Sequence, residues 1–253
     1  MRLSAKTTRR ILAVILLIVW EALPRLGLVH SLFLPPLSSA VMAAYNDLGV
    51  YLENTVITLA QIGAALFFAC GGGIVLGALI GSVPALRKSM TPLLSSLYAV
   101  PLVVIYPLMA AWFGIGSLSQ VTFASLYGII PAALATAAGI STIDPQLSMT
   151  AKSMGATLSQ RIIHVVIPAA IPSILSGIRI GGALAIVGVI LAQMLVSTAG
   201  LGFVITTYRT LLDAPHVFAA ILFILAIAWL FDWIVSLLDR RTATWSTSIS
   251  NGR

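Results

Sequence analysis

Leu147, Ala151 and Met154 stand at i, i+4 and i+7 in an otherwise polar stretch, so a helix through them carries one small apolar stripe. A stripe of that size does no bond chemistry; it suits a docking element, or a surface helix resting on lipid. The residues around it punctuate a short surface helix. Asp144 before Pro145 reads as N-cap and first helical residue, because the carboxylate accepts free N–H groups and proline has none to leave unpaired. Gly155 marks the far end, since glycine takes the left-handed C′ conformation without strain. Thr157 with Gln160 is a capping box opening a second helix. Pro168 and Pro172 bracket the return to apolar sequence. Residues 144–172 therefore read as two short helices joined by a glycine.

A second set of polar groups lies inside apolar runs: Tyr106, Gln120, Gln193 and Ser197. Each is a candidate contact for a polar solute, and each also suits a hydrogen bond between helices, the commoner use of such residues in lipid. Pro101 and Pro107 are expected to bend the run that holds them. Glu21 and Asp232 are the acidic residues within apolar runs. Glu21 has Arg25 at i+4 for a partner, and Asp232 has Asp239, Arg240 and Arg241 nearby, so local pairing is expected rather than a proton relay.

Other chemistries lack their residues. His30, His164, His216 and the single Cys70 have no metal-ligand spacing, and one cysteine forms no intrachain disulfide. No nucleophile with an adjacent base is visible. The phosphate-cradling G-x-x-x-x-G-K-[ST] loop is absent, and Gly-Lys occurs nowhere. The chain is expected to be no enzyme and to hold no cofactor of its own.

Composition names the solvent these residues work in. The 253 residues are 59% hydrophobic and 8% charged, and the 55 residues from 89 to 143 contain neither charge nor histidine. A hydrocarbon core takes about 20 apolar residues per helical crossing, and lipid admits only helices or closed barrels. Six spans are expected, at about 11–29, 54–83, 91–113, 118–140, 174–197 and 216–238. The charged start followed by an apolar run resembles a signal peptide, but a retained first helix is the better reading.

The net charge of +7 does not point to nucleic acid, because the basic residues gather at span ends and in short loops. With the N-terminus in the cytoplasm, Arg2, Lys6, Arg9, Arg10, Arg87, Lys88, Lys152, Arg161, Arg179, Arg240, Arg241 and Arg253 fall inside, against only Arg25 and Arg209 outside. That bias puts both termini and residues 141–172 in the cytoplasm. Gly73, Gly77 and Gly81, and again Gly177 and Gly181, have the spacing that lets helices approach closely. Trp112 and Trp233 suit an interfacial belt.

The motifs together resemble a family. Asp144-Pro145, Leu147, Ala151, Gly155-Ala156, Ile167-Pro168-Ala169-Ala170 and Pro172 are similar to the cytoplasmic "EAA" loop of ABC-importer permeases, in the branch serving nitrate, sulfonate and taurine. Leu34-Pro35-Pro36 with Ser39-Ala40-Val41, Ala99-Val100-Pro101 through Gly116, and Gly200-Leu201-Gly202-Phe203 resemble further motifs of that branch, in order. Three positions depart from its pattern. Met149 and Thr150 stand where the loop has its signature glutamate and first alanine, and Gln193 stands where an acidic residue is frequent, so no pathway carboxylate is expected.

The resemblance implies an all-α, polytopic membrane protein with the type I ABC importer permease fold, one transmembrane domain over 1–253 in the bacterial inner membrane. Leu147, Ala151, Met154, Gly155 and Pro168 would couple the 141–172 loop to an ATPase. Tyr106, Gln120, Gln193 and Ser197 would be the pathway candidates. Implied partners are two copies of an ATP-binding subunit, a second permease copy, membrane lipid and an extracytoplasmic substrate-binding protein, for whose docking the topology alone points to 30–52 and 198–215. ATP would be bound by the partner. The solute stays open among an organic sulfonate, taurine, nitrate and a heterocyclic vitamin precursor. An ion-coupled secondary transporter is the alternative, but it needs ionisable groups at mid-membrane, and a membrane-embedded enzyme is a third reading.

Overall fold

The structure, a computed structural model, describes residues 5–250, and every regular element among them is helical. Arg2 and Arg253 of the charge count lie outside the described residues, as do the side chains of Lys6, Arg9, Arg10 and Arg241. In chain order the helices are α1 (Ala5–Arg25), α2 (Leu37–Asn46), α3 (Leu48–Ser82), α4 (Pro84–Ala99), α5 (Tyr106–Phe113), α6 (Ser117–Ser141), α7 (Pro145–Ser153), α8 (Leu158–Arg161), α9 (Ile167–Leu195), α10 (Leu201–Thr210) and α11 (Ala214–Ser250). A 3₁₀ turn, Leu102–Ile105, precedes α5, and a π-helical turn, Ile162–Val166, joins α8 to α9.

Four unbroken stretches are long and apolar enough to cross a membrane: Leu48–Ser82, Ser117–Ser141, Ser159–Leu195 and Ala214–Arg240. A fifth is a broken pair. The span expected over 91–113 is α4 and α5, bent by 77° about Val100 and Pro101, so the bend expected of its prolines falls at Pro101. Pro101 lacks an N–H and drives the residue before it out of the α region; Val100 is extended at φ −75°, ψ 133°. The first expected segment lies in α1, where the apolar run 11–20 is about half the usual crossing length and charged residues flank it.

The loop at 144–172 also differs from its expected form. The helix opened by Thr157 does not stop at Pro168 but continues through the π turn into α9. A proline ring collides with the carbonyl four residues back; the wider π turn directly before α9 gives room for Pro168, and Pro172 sits within α9.

The described residues form two compact units. In the one containing 59–196 and the chain beyond 227, α6 lies against both α9 and the later half of α3. Glycines set these contacts. A Cβ on Gly77 would stand 2.5 Å from the Ala133 carbonyl oxygen, and one on Gly181 would stand 2.7 Å from that of Gly128. No methyl group fits, so the backbones meet directly and dispersion does the work that the hydrophobic effect does in water. The buried core here is accordingly small-chained, with Ala132, Ala133, Ala137 and Ala185 almost fully covered.

The other unit holds residues up to 58 and 197–226. Trp20 of α1 donates to the Pro35 carbonyl at 3.0 Å and its ring meets Phe218. Glu21 accepts both the backbone N–H (3.0 Å) and the hydroxyl (2.7 Å) of Ser38, tying α1 to the first turn of α2, and pairs with Arg25 at 2.6 Å.

Candidate functional site

The stripe-bearing helix α7 is closed at both ends by its own side chains and turns. Asp144 Oδ1 accepts the Gln146 N–H at 2.9 Å. At the far end the Gly155 N–H reaches the Lys152 carbonyl and the Ala156 N–H reaches that of Ala151, both at 3.0 Å. This is a Schellman turn, and Gly155 has the left-handed φ of +83° it requires. Thr157 and Gln160 then cap the next helix reciprocally: the Thr157 N–H donates to Gln160 Oε1 at 2.9 Å, and the Gln160 N–H to Thr157 Oγ1 at 3.3 Å. Five backbone N–H groups are thereby satisfied without any partner chain.

The stripe itself is left open. Met154 is 82% exposed and Leu147 47%, while Ala151 is half-buried and nothing lies within 4 Å of where a Gly155 Cβ would be. Met149, at the position of the signature glutamate, is exposed as well. Pro168 is exposed at the first turn of α9, beyond the π turn. The surface is therefore apolar, shallow and pre-shaped, with two flexible thioethers in place of a charge.

Three of the four pathway candidates are buried and hydrogen-bonded. Tyr106 of α5 and Gln120 of α6 both direct donors at the Val196 carbonyl, at 3.1 and 3.5 Å. That carbonyl belongs to the residue that ends α9, so α5 and α6 together cap it. Tyr106 also packs edge-on against Phe123. Gln193 Nε2 donates to Gln61 Oε1 at 2.8 Å, and Gln61 Nε2 donates to Ser117 Oγ at 2.9 Å, linking α9, α3 and α6. Ser197 turns back on its own loop, its hydroxyl donating to the Ala199 carbonyl at 2.7 Å.

Gln61 escaped the sequence reading, as did Asn54 and Thr58. Asn54 Oδ1 accepts the Gly200 N–H at 2.6 Å and Thr58 Oγ1 accepts the Leu201 N–H at 2.9 Å, so α3 caps α10. Gly200 sits there with φ +100°, which explains the glycine of that turn. The available signal was the spacing of Asn54, Thr58 and Gln61, at i, i+4 and i+7 in an apolar helix.

Two charged clusters complete the picture. His216 has Asp47 Oδ2 3.0 Å from Nε2 and Asp213 Oδ2 2.8 Å from Nδ1, and Tyr208 stacks on its ring. Burial, and then the Asp47 carboxylate, hold the Tyr208 phenol above its ordinary value. On α9, Arg179 lies 3.4 Å from Asp232, 4.0 Å from Asp239 and 3.0 Å from the Ser236 hydroxyl, all on α11. Asp232 thus pairs across helices, with Arg179 of α9. Among the described residues no group of three His, Cys, Asp or Glu is placed to hold a metal ion.

Residues 72–244 match the family described as "Binding-protein-dependent transport system inner membrane component". The taurine transport system permease protein TauC of Escherichia coli is 32% identical over 239 residues, covering 91% of this chain and 86% of that one. The putative aliphatic sulfonates transport permease SsuC of Bacillus subtilis is 28% identical over 241 residues, covering 94% and 87%. In fold, the chain is similar to an inward-facing structure of the MetNI methionine ABC transporter, with a TM-score of 0.68 at 17% identity, over 77% of this chain and 97% of that one. The chain belongs to the family of inner-membrane components of binding-protein-dependent transport systems: it is a multi-pass permease subunit of an ABC importer, with ATP hydrolysis and substrate capture on separate subunits.

Proposed function

We propose that this permease carries an organosulfonate of the taurine type, and that residues 141–172 transmit the stroke of the ATPase to the pathway. The sulfonate reading rests on the full-length likeness to TauC and SsuC, whose names specify taurine and aliphatic sulfonates. The coupling reading rests on the exposed stripe of Leu147, Ala151 and Met154 between two self-capped helix ends.

ATP binding draws two ATPase subunits together, and each carries a docked α7 with it. Gly155 and Ala151 let α7 sit close to the groove, and Leu147 and Met154 fill it. The helical run from α8 through the π turn and Pro168 into α9 passes that displacement on as one body. Only the difference in ATP affinity between inward- and outward-open states drives the change. Tyr106, Gln120 and Gln193 act on the pathway by fixing its wall, and Ser197 by shaping the turn that follows α9. A two-fold pair of identical chains encloses the path. Both termini and the loop face the cytoplasm, as the bias of twelve cationic residues against two favours.

The test is uptake by the permease reconstituted with its ATP-binding and substrate-binding subunits. ATP-dependent accumulation of taurine or an alkanesulfonate is expected, with little for nitrate. Uphill uptake by the permease alone on an ion gradient would overturn the proposal.

A further inference from the structure

A cleft of about 390 Å³ opens between the start of α4 and the end of α6, and the transport reading leaves it unused. Arg87 and Lys88 stand on its rim and Thr91 one turn further in, while Pro92, Leu134 and Ala138 are among its apolar walls. Arg87 is half-buried, and among the described residues neither cation has a carboxylate within ion-pair distance. The acidic groups nearest in function are committed elsewhere: Glu21 to Ser38 and Arg25, Asp232 and Asp239 to Arg179, Asp144 to the cap of α7. Thr91 Oγ1 is a buried hydroxyl with no hydrogen-bond partner, although Ser89 two residues earlier makes the usual bond to the carbonyl four back.

Two cations without a counter-ion, an orphan donor and an apolar floor define a ligand with one anionic oxygen group and a hydrocarbon part. The location narrows it further. The cleft lies where the spanning stretch of α3 ends at Ser82 and the chain re-enters apolar sequence with α4, so it sits at a membrane–water boundary. Leu86 and Leu93 of α4 flank it on the exposed surface, giving acyl chains an apolar track. Basic pockets of this kind between transmembrane helices take lipid head groups.

We infer that the cleft rimmed by Arg87, Lys88 and Thr91 binds the phosphate of an anionic phospholipid, holding α4 against α6 at the leaflet where the broken α4–α5 pair begins. The inference rests on the membrane-spanning reading of the chain, and the topology proposed above makes that leaflet the cytoplasmic one. Arg87 supplies a forked donor pair and Lys88 a point charge, which together neutralise a phosphodiester.

The experiment is native mass spectrometry of the permease purified with its ATP-binding subunit, titrated with dioleoylphosphatidylglycerol or dioleoylphosphatidylcholine. Preferential retention of phosphatidylglycerol is expected, and the Arg87→Ala/Lys88→Ala double variant should bind it about 30-fold more weakly, from the worth of two surface cations. Thr91→Val should weaken it less and leave folding intact. Equal retention of both lipids by the unmodified complex would overturn the inference, as would an unchanged affinity in the double variant. Displacement of phosphatidylglycerol by inorganic phosphate or taurine would assign the cleft to a free solute and overturn the lipid assignment. ATP-driven uptake in vesicles containing phosphatidylglycerol is measured on the same preparation; its failure with lipid selectivity retained would count against the transport reading and leave this one standing.

Discussion

Gln193 on α9 donates to Gln61 on α3 at 2.8 Å, and the bond is buried at both ends. A carboxylate there would be a charge in a dry helix contact; the amide instead completes a chain that runs on through Gln61 to Ser117.

Replacing Gln193 with leucine strands Gln61 Oε1 without a donor. The expected loss is about 1 kcal/mol, the scale of an interhelical hydrogen bond in lipid, read from equilibrium unfolding in mixed micelles. Solute affinity should not change, because the amide is spent on the wall. A tenfold shift in apparent affinity at unchanged stability would make Gln193 a solute contact instead.

Arg179 and Asp232 give a second, charge-dependent prediction. Both side chains are substantially exposed in the single chain, and Ser236 and Asp239 share the arginine. Asp232→Asn should therefore cost no more than about 1 kcal/mol. The charge-swapped double variant Arg179→Asp/Asp232→Arg should recover part of that loss. Failure to recover any of it in a double-mutant cycle would show that the pairing is not what holds α9 to α11.

How much of this was readable in advance depended on how far each side chain reaches along the sequence. Asp144, Gly155, Thr157 and Gln160 act on backbone groups within a few residues of themselves, so their chemistry is written locally. The glycines at 73, 77 and 81 were legible for the same reason, since close approach demands their absence of side chains whatever the neighbour. Pro101 announced a bend but not its size; α4 and α5 each pack on α6, and that packing fixes the 77° angle. Pro168 and Pro172 read as breakers because local rules make them so, and the π turn that absorbs Pro168 has no local signature. Gln61 and Arg179 find partners on helices distant in sequence, which no window along the chain contains.

Alkaline stability should depend on Tyr208. Its phenol is held above the ordinary value of 10.0 by burial and by Asp47, so the folded state disfavours the phenolate relative to the unfolded chain. The sign follows from linkage: the contribution is fully present below about pH 10 and is lost as pH rises towards the folded value, because the unfolded chain ionises first. Thermal unfolding followed from pH 9 to 11 should therefore show a decline, and Tyr208→Phe should lessen it, the Tyr51 phenol being buried as well. An equally steep decline in that variant would assign the alkaline lability to other groups.

The Schellman turn after α7 yields the sharpest test of the coupling surface. Gly155 has φ +83° with open space around its missing Cβ, so the obstacle to substitution is backbone conformation and not crowding. A β-branched residue there pays roughly 1–2 kcal/mol for the left-handed region, whereas asparagine tolerates it. Gly155→Val should unseat the Gly155 and Ala156 bonds to α7, misdirect the stripe of Leu147, Ala151 and Met154, and lower solute-stimulated ATPase activity of the assembled importer severalfold. Gly155→Asn should keep the turn and most of the activity. The contrast between two residues of similar bulk separates the shape of the turn from its mere volume. Equal activity in both variants would show that α7 is not positioned by this turn, and that the ATPase is engaged elsewhere on the chain.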